Sequence, residues 1–466
     1  MAFVFLICCA VLIGAIACFT INRLLYSHQV LKWKRSNFPV LRPFLFFGHK
    51  YFLNLFSNSA TVGIDRIYRE NGDKDLVAFF VTFIPVILLR DPKLIKKVLL
   101  IYSKKAFPSN FVPPEDDPET QAMPLLTNDK AKWKIGRTSM APFFSESTIW
   151  GQAFDKFKQQ MDKLWTQTEI ARSSGQSIDV QDLARAFTFD GIALWGFGDT
   201  ANHLDSRGEL RRGILDGLHA SSYRTIFIIL SSIAVPFLQR IKRIRFVNRQ
   251  YIKIMKNLLQ RQIKFRDANS VNNDDFIDYL MSLRDTNQCL NDDDQEGQGI
   301  DLVQMTGYSL TLLLGSTGTI PQLCITVTHL LSLHPEIQDK VKAEIVELMK
   351  KHQVNELTYE VIQDLQFTRQ CILESCRLYP PLPAIFRRCT EDFQIAGTDY
   401  IFRKGDQIIL SPYSLHHDPK YFKDPEKFVP DRFSPENEHL ITSDAYYLSF
   451  GFGLRKCPER SKIPNS

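Results

Sequence analysis

Cys457 closes the stretch Phe450-Gly451-Phe452-Gly453-Leu454-Arg455-Lys456-Cys457, whose residue types can shape a backbone around one sulfur. Gly451 and Gly453 can take positive φ and carry no side chain to hold a flat cofactor away. Arg455 can pair with a carboxylate, and Cys457 can offer a thiolate to iron. The stretch is a haem-thiolate loop in outline. A glycine-rich turn ending in cysteine is also a common surface turn, so the rest of the chain has to decide.

Other segments bear on that decision. Trp133-Lys134-Ile135-Gly136-Arg137 leads to Pro142-Phe143-Phe144; Glu374-Ser375-Cys376-Arg377 sets opposite charges on one helix face; Pro430-Asp431-Arg432-Phe433 follows. Glu and Arg at that spacing decorate many solvated helices and mean little alone. In this order, and ending on that cysteine, the segments resemble the WxxxR, ExxR, PERF and FxxGxRxC motifs of the cytochrome P-450 superfamily, in the style of its microsomal branch. The resemblance implies a mainly α fold with small β-sheets. It implies that Trp133 and Arg137 hold a haem propionate, that Cys457 is the axial ligand of the haem iron, and that Phe450, Gly451, Gly453 and Arg455 line the cofactor. Glu374, Arg377 and Arg432 become a buried, structural ion-pair triad. Arg387 fits the position that grips a propionate, with Arg388 the fallback if the strand register slips by one. His416 matches a position near a propionate, whereas His417 reads as a turn histidine without a role at iron.

The elements that must position these residues read mostly as helices. Asp301 to Leu333 is an apolar helix that resembles the family's central helix over the distal haem face, and Tyr308 on it helps suggest an aromatic-lined cavity together with the Phe107 to Pro114 loop. Counting back from His334-Pro335-Glu336 sets Gly315-Ser316-Thr317-Gly318-Thr319 on the family's AGx(D/E)T. Thr319 then takes the catalytic alcohol position. Gly318 stands where a carboxylate normally helps relay protons, and Pro321 is expected to kink the helix near Thr319. A hydroxyl bonded back to its own helix is the plainer reading of Thr319. Arg240 to Arg266 reads as a solvated amphipathic helix, Asp179 to Gly198 as another helix, and Asn287 to Gly299 as a polar surface loop.

The 466 residues, 44% hydrophobic and 12% aromatic, suffice for one large core, and no Pro/Gly/Ser-rich linker splits them. A net charge of +6 is too small and dispersed to argue for a nucleic-acid partner. Nine cysteines without CxxC pairing point to reduced, cytosol-facing use. Ala2 to Ile21 is uncharged and long enough to span a bilayer, and the basic residues that follow it put the body of the protein in the cytosol. The expected organisation is a membrane anchor at 1–22, a basic and proline-containing hinge at 23–45, and a catalytic domain at 46–466. Glu459 stands where the family has glycine, and the few residues after it are too short for the family's next helix, so the C-terminal end is expected to be incomplete and haem retention weak.

The resemblance implies a monooxygenase on the cytosolic face of the endoplasmic reticulum membrane, with b-type haem as cofactor and electrons from NADPH. Its partners would be NADPH-cytochrome P-450 reductase, docking on Lys130, Lys132, Lys134 and Lys456, cytochrome b5, membrane lipid and a small hydrophobic substrate. Two other classes fit the same residues: a haem-dependent isomerase or dehydratase of an oxygenated lipid, which needs no proton relay at Gly318, and a truncated non-catalytic relative.

Overall fold

A computed structural model describes residues 20, 23–24, 26–43, 49, 60–81, 84–103, 118–127, 129–145, 151, 153–198, 247, 249–285 and 299–458. The chain order begins with helix α1 (26–35), α2 (Ala60–Glu70), strands β1 (Leu76–Val81) and β2 (Ile84–Leu89), then α3 (Pro92–Leu100), α4 (Pro118–Ala122), α5 (Lys130–Met140), α6 (Phe154–Ser174) and α7 (Val180–Phe197). It continues with α8 (Arg249–Asn269), α9 (Phe276–Asp285), α10 (Leu302–Leu333), α11 (Pro335–Lys351), α12 (Tyr359–Asp364) and α13 (Gln366–Leu378). Strands β3 (Ile385–Arg388), β4 (Phe393–Gln394), β5 (Ile401–Phe402) and β6 (Gln407–Leu410) precede α14 (Pro412–His416) and α15 (Pro435–Thr442). Several helices start for the same local reason. Asp91, Asp129, Asp179 and Asp301 each stand in extended conformation before a helix and accept amide N–H groups of its first turn. Asp301 and Gln304 complete a reciprocal capping box on α10.

The strands β1 and β2 are continuous apolar runs, as strands covered on both faces must be. They pair antiparallel, β2 runs parallel to β6, and β3 lies antiparallel to β6, giving the order β1-β2-β6-β3. The segment expected as a hinge is docked on this sheet. The Pro39 carbonyl accepts the Ala78 N–H at 2.8 Å, Leu41 N–H donates back to the Ala78 carbonyl at 2.9 Å, and Phe38 is buried against Tyr400 and Phe402. Trp33 of α1 packs on Phe80, so one core cluster joins α1, α2, α3 and the sheet. A second cluster fills the space among α5, α7, α8, α9 and α10, centred on Phe143, whose ring stacks on Trp195 and meets Phe276, both at 4.6 Å.

Helix α10 threads this second cluster. At Gly307 a Cβ would come 2.7 Å from the Glu119 carbonyl oxygen, so only glycine lets α10 and α4 approach so closely. Pro321 does not end it: the helix runs unbroken from Leu302 to Leu333. Among the described residues α10 is the helix long and apolar enough to cross a membrane, and it lies mid-chain. The expected fold class is corrected on this point. The helices and small sheets are as expected, but the candidate span is Leu302–Leu333 and not an N-terminal segment; Ala2–Ile21, but for Thr20, lies outside the described residues. The two are alike in composition because a helix flanked by α4, α7, α8 and α13 meets protein on several faces and is apolar for that reason.

Also outside the described residues are the Phe107–Pro114 loop, Asn287–Gly299 except its last residue, and everything after Pro458, where an incomplete end was expected. The stretch Arg240–Arg266 is described at Val247 and from Arg249 onward. Its apolar residues Ile252, Met255, Leu258 and Leu259 are buried as the periodicity requires, but so is Arg266, held by both Asp275 carboxylate oxygens at 2.6 Å and by Asp278 at 2.6 Å.

Candidate functional site

Helix α5 sets one side of the site. Asp129 caps it through the Ala131 and Lys132 amides at 2.8 and 3.0 Å, and the four-residue spacing then brings Trp133 and Arg137 to one face. Lys130, Lys132 and Lys134 remain exposed, as does Lys456. The rotation of α5 is fixed at Gly136, where any Cβ would collide with the Pro124 ring. The cysteine loop forms the other side. Gly451 and Gly453 have φ of 71° and 74°, in the region that favours glycine, and a Cβ on Gly453 would also strike the Leu99 carbonyl. Gly451 N–H donates to Leu448 at 2.9 Å, Lys456 N–H to Gly453 at 3.1 Å, and Cys457 N–H to Phe450 at 2.8 Å, leaving the cysteine half-buried.

Side chains tie the two sides together. Arg137 Nη2 donates to the Lys456 carbonyl at 2.9 Å. Arg455 Nη2 donates to the Thr127 carbonyl at 3.1 Å, and its guanidinium lies 5.0 Å from the centre of the Trp133 ring. Strand β3 contributes Arg387. The pleat turns Arg387 inward and Arg388 to solvent, which settles the register left open by the sequence. Burial lowers the Arg387 pKa to about 10. Burial lowers Arg455 to about 9, and Arg387 and Arg137 add their repulsion. Burial also lowers Arg137, against the opposing pull of Cys457. Three guanidinium groups thus crowd one region, and Nε of Arg455 is buried without a hydrogen-bond partner. Such a cluster is built for anions, carboxylates above all. Among the described residues no group of three or more His, Cys, Asp or Glu is placed to hold a bare metal ion. A flat macrocycle carrying its own metal and its own carboxylates fits this donor set.

Glu374, Arg377 and Arg432 come together in one network. Arg377 Nε and Nη2 donate to the two Glu374 carboxylate oxygens at 2.7 and 2.9 Å, with both side chains fully buried. Arg432 Nε and the Val429 amide reach Glu374 Oε1 at 3.3 and 3.0 Å. The remaining Arg377 donors go to the His416 and Lys427 carbonyls. Phe450 packs beside this network with Leu373, Phe422, Phe433 and Tyr447.

His416 is placed with the triad rather than with the three arginines. Its Nδ1 is 3.0 Å from the Arg377 carbonyl and its Nε2 accepts the Leu448 N–H at 2.9 Å, so neither nitrogen remains for a carboxylate. Thr319 turns its hydroxyl back to the Gly315 carbonyl at 2.6 Å, and a Cβ added at Gly318 would meet open space. Sequence reasoning missed the residues that hang the loop on α13: Tyr447 donates to the Leu373 carbonyl at 3.1 Å and Ser449 to the Cys376 carbonyl at 2.8 Å. The hydroxyl-bearing run just before Phe450 was the only signal for them.

Residues 39–459 match the family model described as Cytochrome P450. The chain is 27% identical over 432 residues to cytochrome P450 6j1 of Blattella germanica, across 91% of this chain and 82% of that protein. It is 27% identical over 452 residues to cytochrome P450 6k1 of Blattella germanica (93% and 84%), and 26% identical over 459 residues to cytochrome P450 6d1 of Musca domestica (93% and 87%). The family match runs through Cys457 to residue 459.

Proposed function

The chain belongs to the cytochrome P450 family, and on that footing we propose that it is a haem-thiolate monooxygenase that inserts one oxygen atom of O2 into a small hydrophobic substrate, with electrons from NADPH delivered by a flavoprotein reductase. The observation that carries this reading is the convergence of Arg137, Arg387 and Arg455 on the Cys457 loop, with a buried Arg455 nitrogen still open. In this reading the three guanidinium groups would bind the haem propionates, Trp133 holds the Arg455 guanidinium in place by lying against it, and Cys457 would supply the thiolate that holds the iron. Phe450, Gly451 and Gly453 shape the floor of the site. Haem, when bound, supplies the activation of dioxygen that no side chain here provides. Thr319 Oγ1, freed from the Gly315 carbonyl, would hold a proton for the reaction, and the open space at Gly318 would leave room for a water to supply it.

The exposed Lys130, Lys132, Lys134 and Lys456 support docking of the acidic surface of NADPH-cytochrome P-450 reductase, with cytochrome b5 as a second donor. Leu24 and Leu31, both more than half exposed near the start of the described chain, support contact with lipid, and the free cysteines among the described residues support the cytosolic face of the endoplasmic reticulum membrane.

The test is the absorption of the ferrous carbonyl complex of the purified chain. A strongly red-shifted band that vanishes in Cys457→Ser supports thiolate ligation; a band that persists in that variant removes Cys457 as the ligand. One observation favours a second reading. With no carboxylate at Gly318 and the Thr319 hydroxyl bonded back to its own helix, an isomerase or dehydratase acting on an already oxygenated lipid needs no proton relay. Product formed without NADPH would select it over the monooxygenase.

A further inference from the structure

His416 is fully buried, and its hydrogen bonds permit one tautomer only. The Leu448 amide can only donate, so Nε2, 2.9 Å away, must present its lone pair. The Arg377 carbonyl can only accept, so Nδ1 must carry the proton it donates across 3.0 Å. The ring lies against Tyr447 at 5.2 Å and 22°, with Phe422 edge-on at 6.0 Å, and Arg377 Nη1 holds the His416 carbonyl at 2.8 Å. Arg377 sits in the last turn of α13, where carbonyls have no partner within the helix. Leu448 starts the hydrogen-bonded path to the sulfur: its carbonyl accepts the Gly451 N–H, and the Phe450 carbonyl accepts the Cys457 N–H.

We propose that His416 is a positioning residue: its imidazole is a rigid spacer that sets the distance from the end of α13 to the start of the Cys457 loop, and through it the seat of the sulfur. The charged pair Glu374–Arg377 locks α13, and the imidazole passes that fixed position on to the loop. Tyr447 and Ser449 tether the same segment to the Leu373 and Cys376 carbonyls, so loss of the imidazole bonds loosens the loop locally and leaves it attached. In its consequence for iron ligation the inference rests on the haem-thiolate reading; as a statement about the loop it does not.

The experiment compares the full chain with His416→Phe, which keeps the ring and the stacking but neither bond, and with His416→Gln, which keeps a donor and an acceptor. Amide hydrogen exchange is followed on peptides covering 446–457 and on peptides from α10 and α13. We expect exchange at Leu448, Gly451 and Cys457 to quicken roughly tenfold in His416→Phe, the factor for one buried hydrogen bond, with α10 unchanged and partial recovery in His416→Gln. Unchanged exchange in the loop, or equal acceleration everywhere, overturns the proposal. The second readout is the ferrous carbonyl band. If the unsubstituted chain shows the red-shifted band, His416→Phe should lose a measurable share of it at equal haem content. An identical band in both overturns the link to the sulfur while leaving the haem-thiolate reading intact, whereas its absence from the unsubstituted chain sinks that reading and leaves exchange to judge the spacer.

Discussion

Two clusters of buried charge meet the segment that carries Cys457, and they are completed in different ways. Around Glu374 the positive and negative groups close on one another: Arg377 spends its donors on the carboxylate and on the His416 and Lys427 carbonyls, and Arg432 and the Val429 amide add to the same carboxylate. Around Arg455 the guanidinium groups of Arg137 and Arg387 crowd close, burial and their charge lower the Arg455 pKa, and its Nε is left over. Burying charge is costly unless it is matched. The first cluster is matched within the chain and so holds the fold; in the second a buried Arg455 nitrogen keeps no partner, which supports the anion-binding role proposed for it.

The largest expected effect comes from breaking the self-matched cluster. Glu374→Gln leaves Arg377 buried beside a neutral amide, and chemical unfolding should show a loss of about 3–5 kcal/mol. A loss under about 1 kcal/mol would mean that solvent reaches the pair. The same operation on the other cluster should have the opposite sign on the haem-free fold. Arg455→Met removes repulsion, so stability without haem stays level or rises, while haem affinity measured by titration falls by roughly 10–100-fold, as for one hydrogen bond to a charged group. Equal destabilisation by both substitutions would erase the distinction between the clusters.

A smaller effect separates His416 from both. Burial, with Arg377 and His417 adding their charge, lowers its pKa to about 3, although its bond to the Arg377 carbonyl acts the other way. Between about 3 and the ordinary value of 6.5 the unfolded chain binds the proton and the folded chain does not, so stability rises with pH in that window. As pH falls below 6.5 the chain should lose at most about 1.4 kcal/mol per pH unit through this group. His416→Phe should lack that share of the slope in pH-dependent unfolding; an unchanged slope would mean the imidazole is protonated in the fold. The smallest effect on stability belongs to Gly318→Asp. Open space at that position keeps the change within about 0.5 kcal/mol. Product formed per NADPH consumed should rise if proton delivery limits the reaction, and unchanged coupling would show that water already suffices.

Much of this was legible in the sequence, for reasons of range. Asp129, Asp179 and Asp301 start their helices through bonds to residues two or three positions away, and Gly451 and Gly453 stand where positive φ is needed, so these features follow from local chemistry. The pairing of Glu374 with Arg377 is likewise a matter of helix spacing. The membrane-spanning pattern was less reliable, since α10 is as apolar as a span. Arg266 was misread because its partners Asp275 and Asp278 lie at the start of the next helix.

What the sequence by itself determined is the inventory: one cysteine at the end of a glycine-jointed loop, charged residues at helical spacing, and the caps that begin the helices. Each depends on neighbours within a turn. Only the tertiary structure decided that Arg387 and not Arg388 faces inward, because a strand's side is set by its pairing with β6. It alone brought Arg137 within reach of Lys456, and Arg455 within reach of Thr127, across more than 300 positions of chain. It alone moved His416 from a ligand's side to the joint between α13 and the cysteine loop, since an imidazole takes its role from whichever groups meet its two nitrogens, and here both arrive from distant elements.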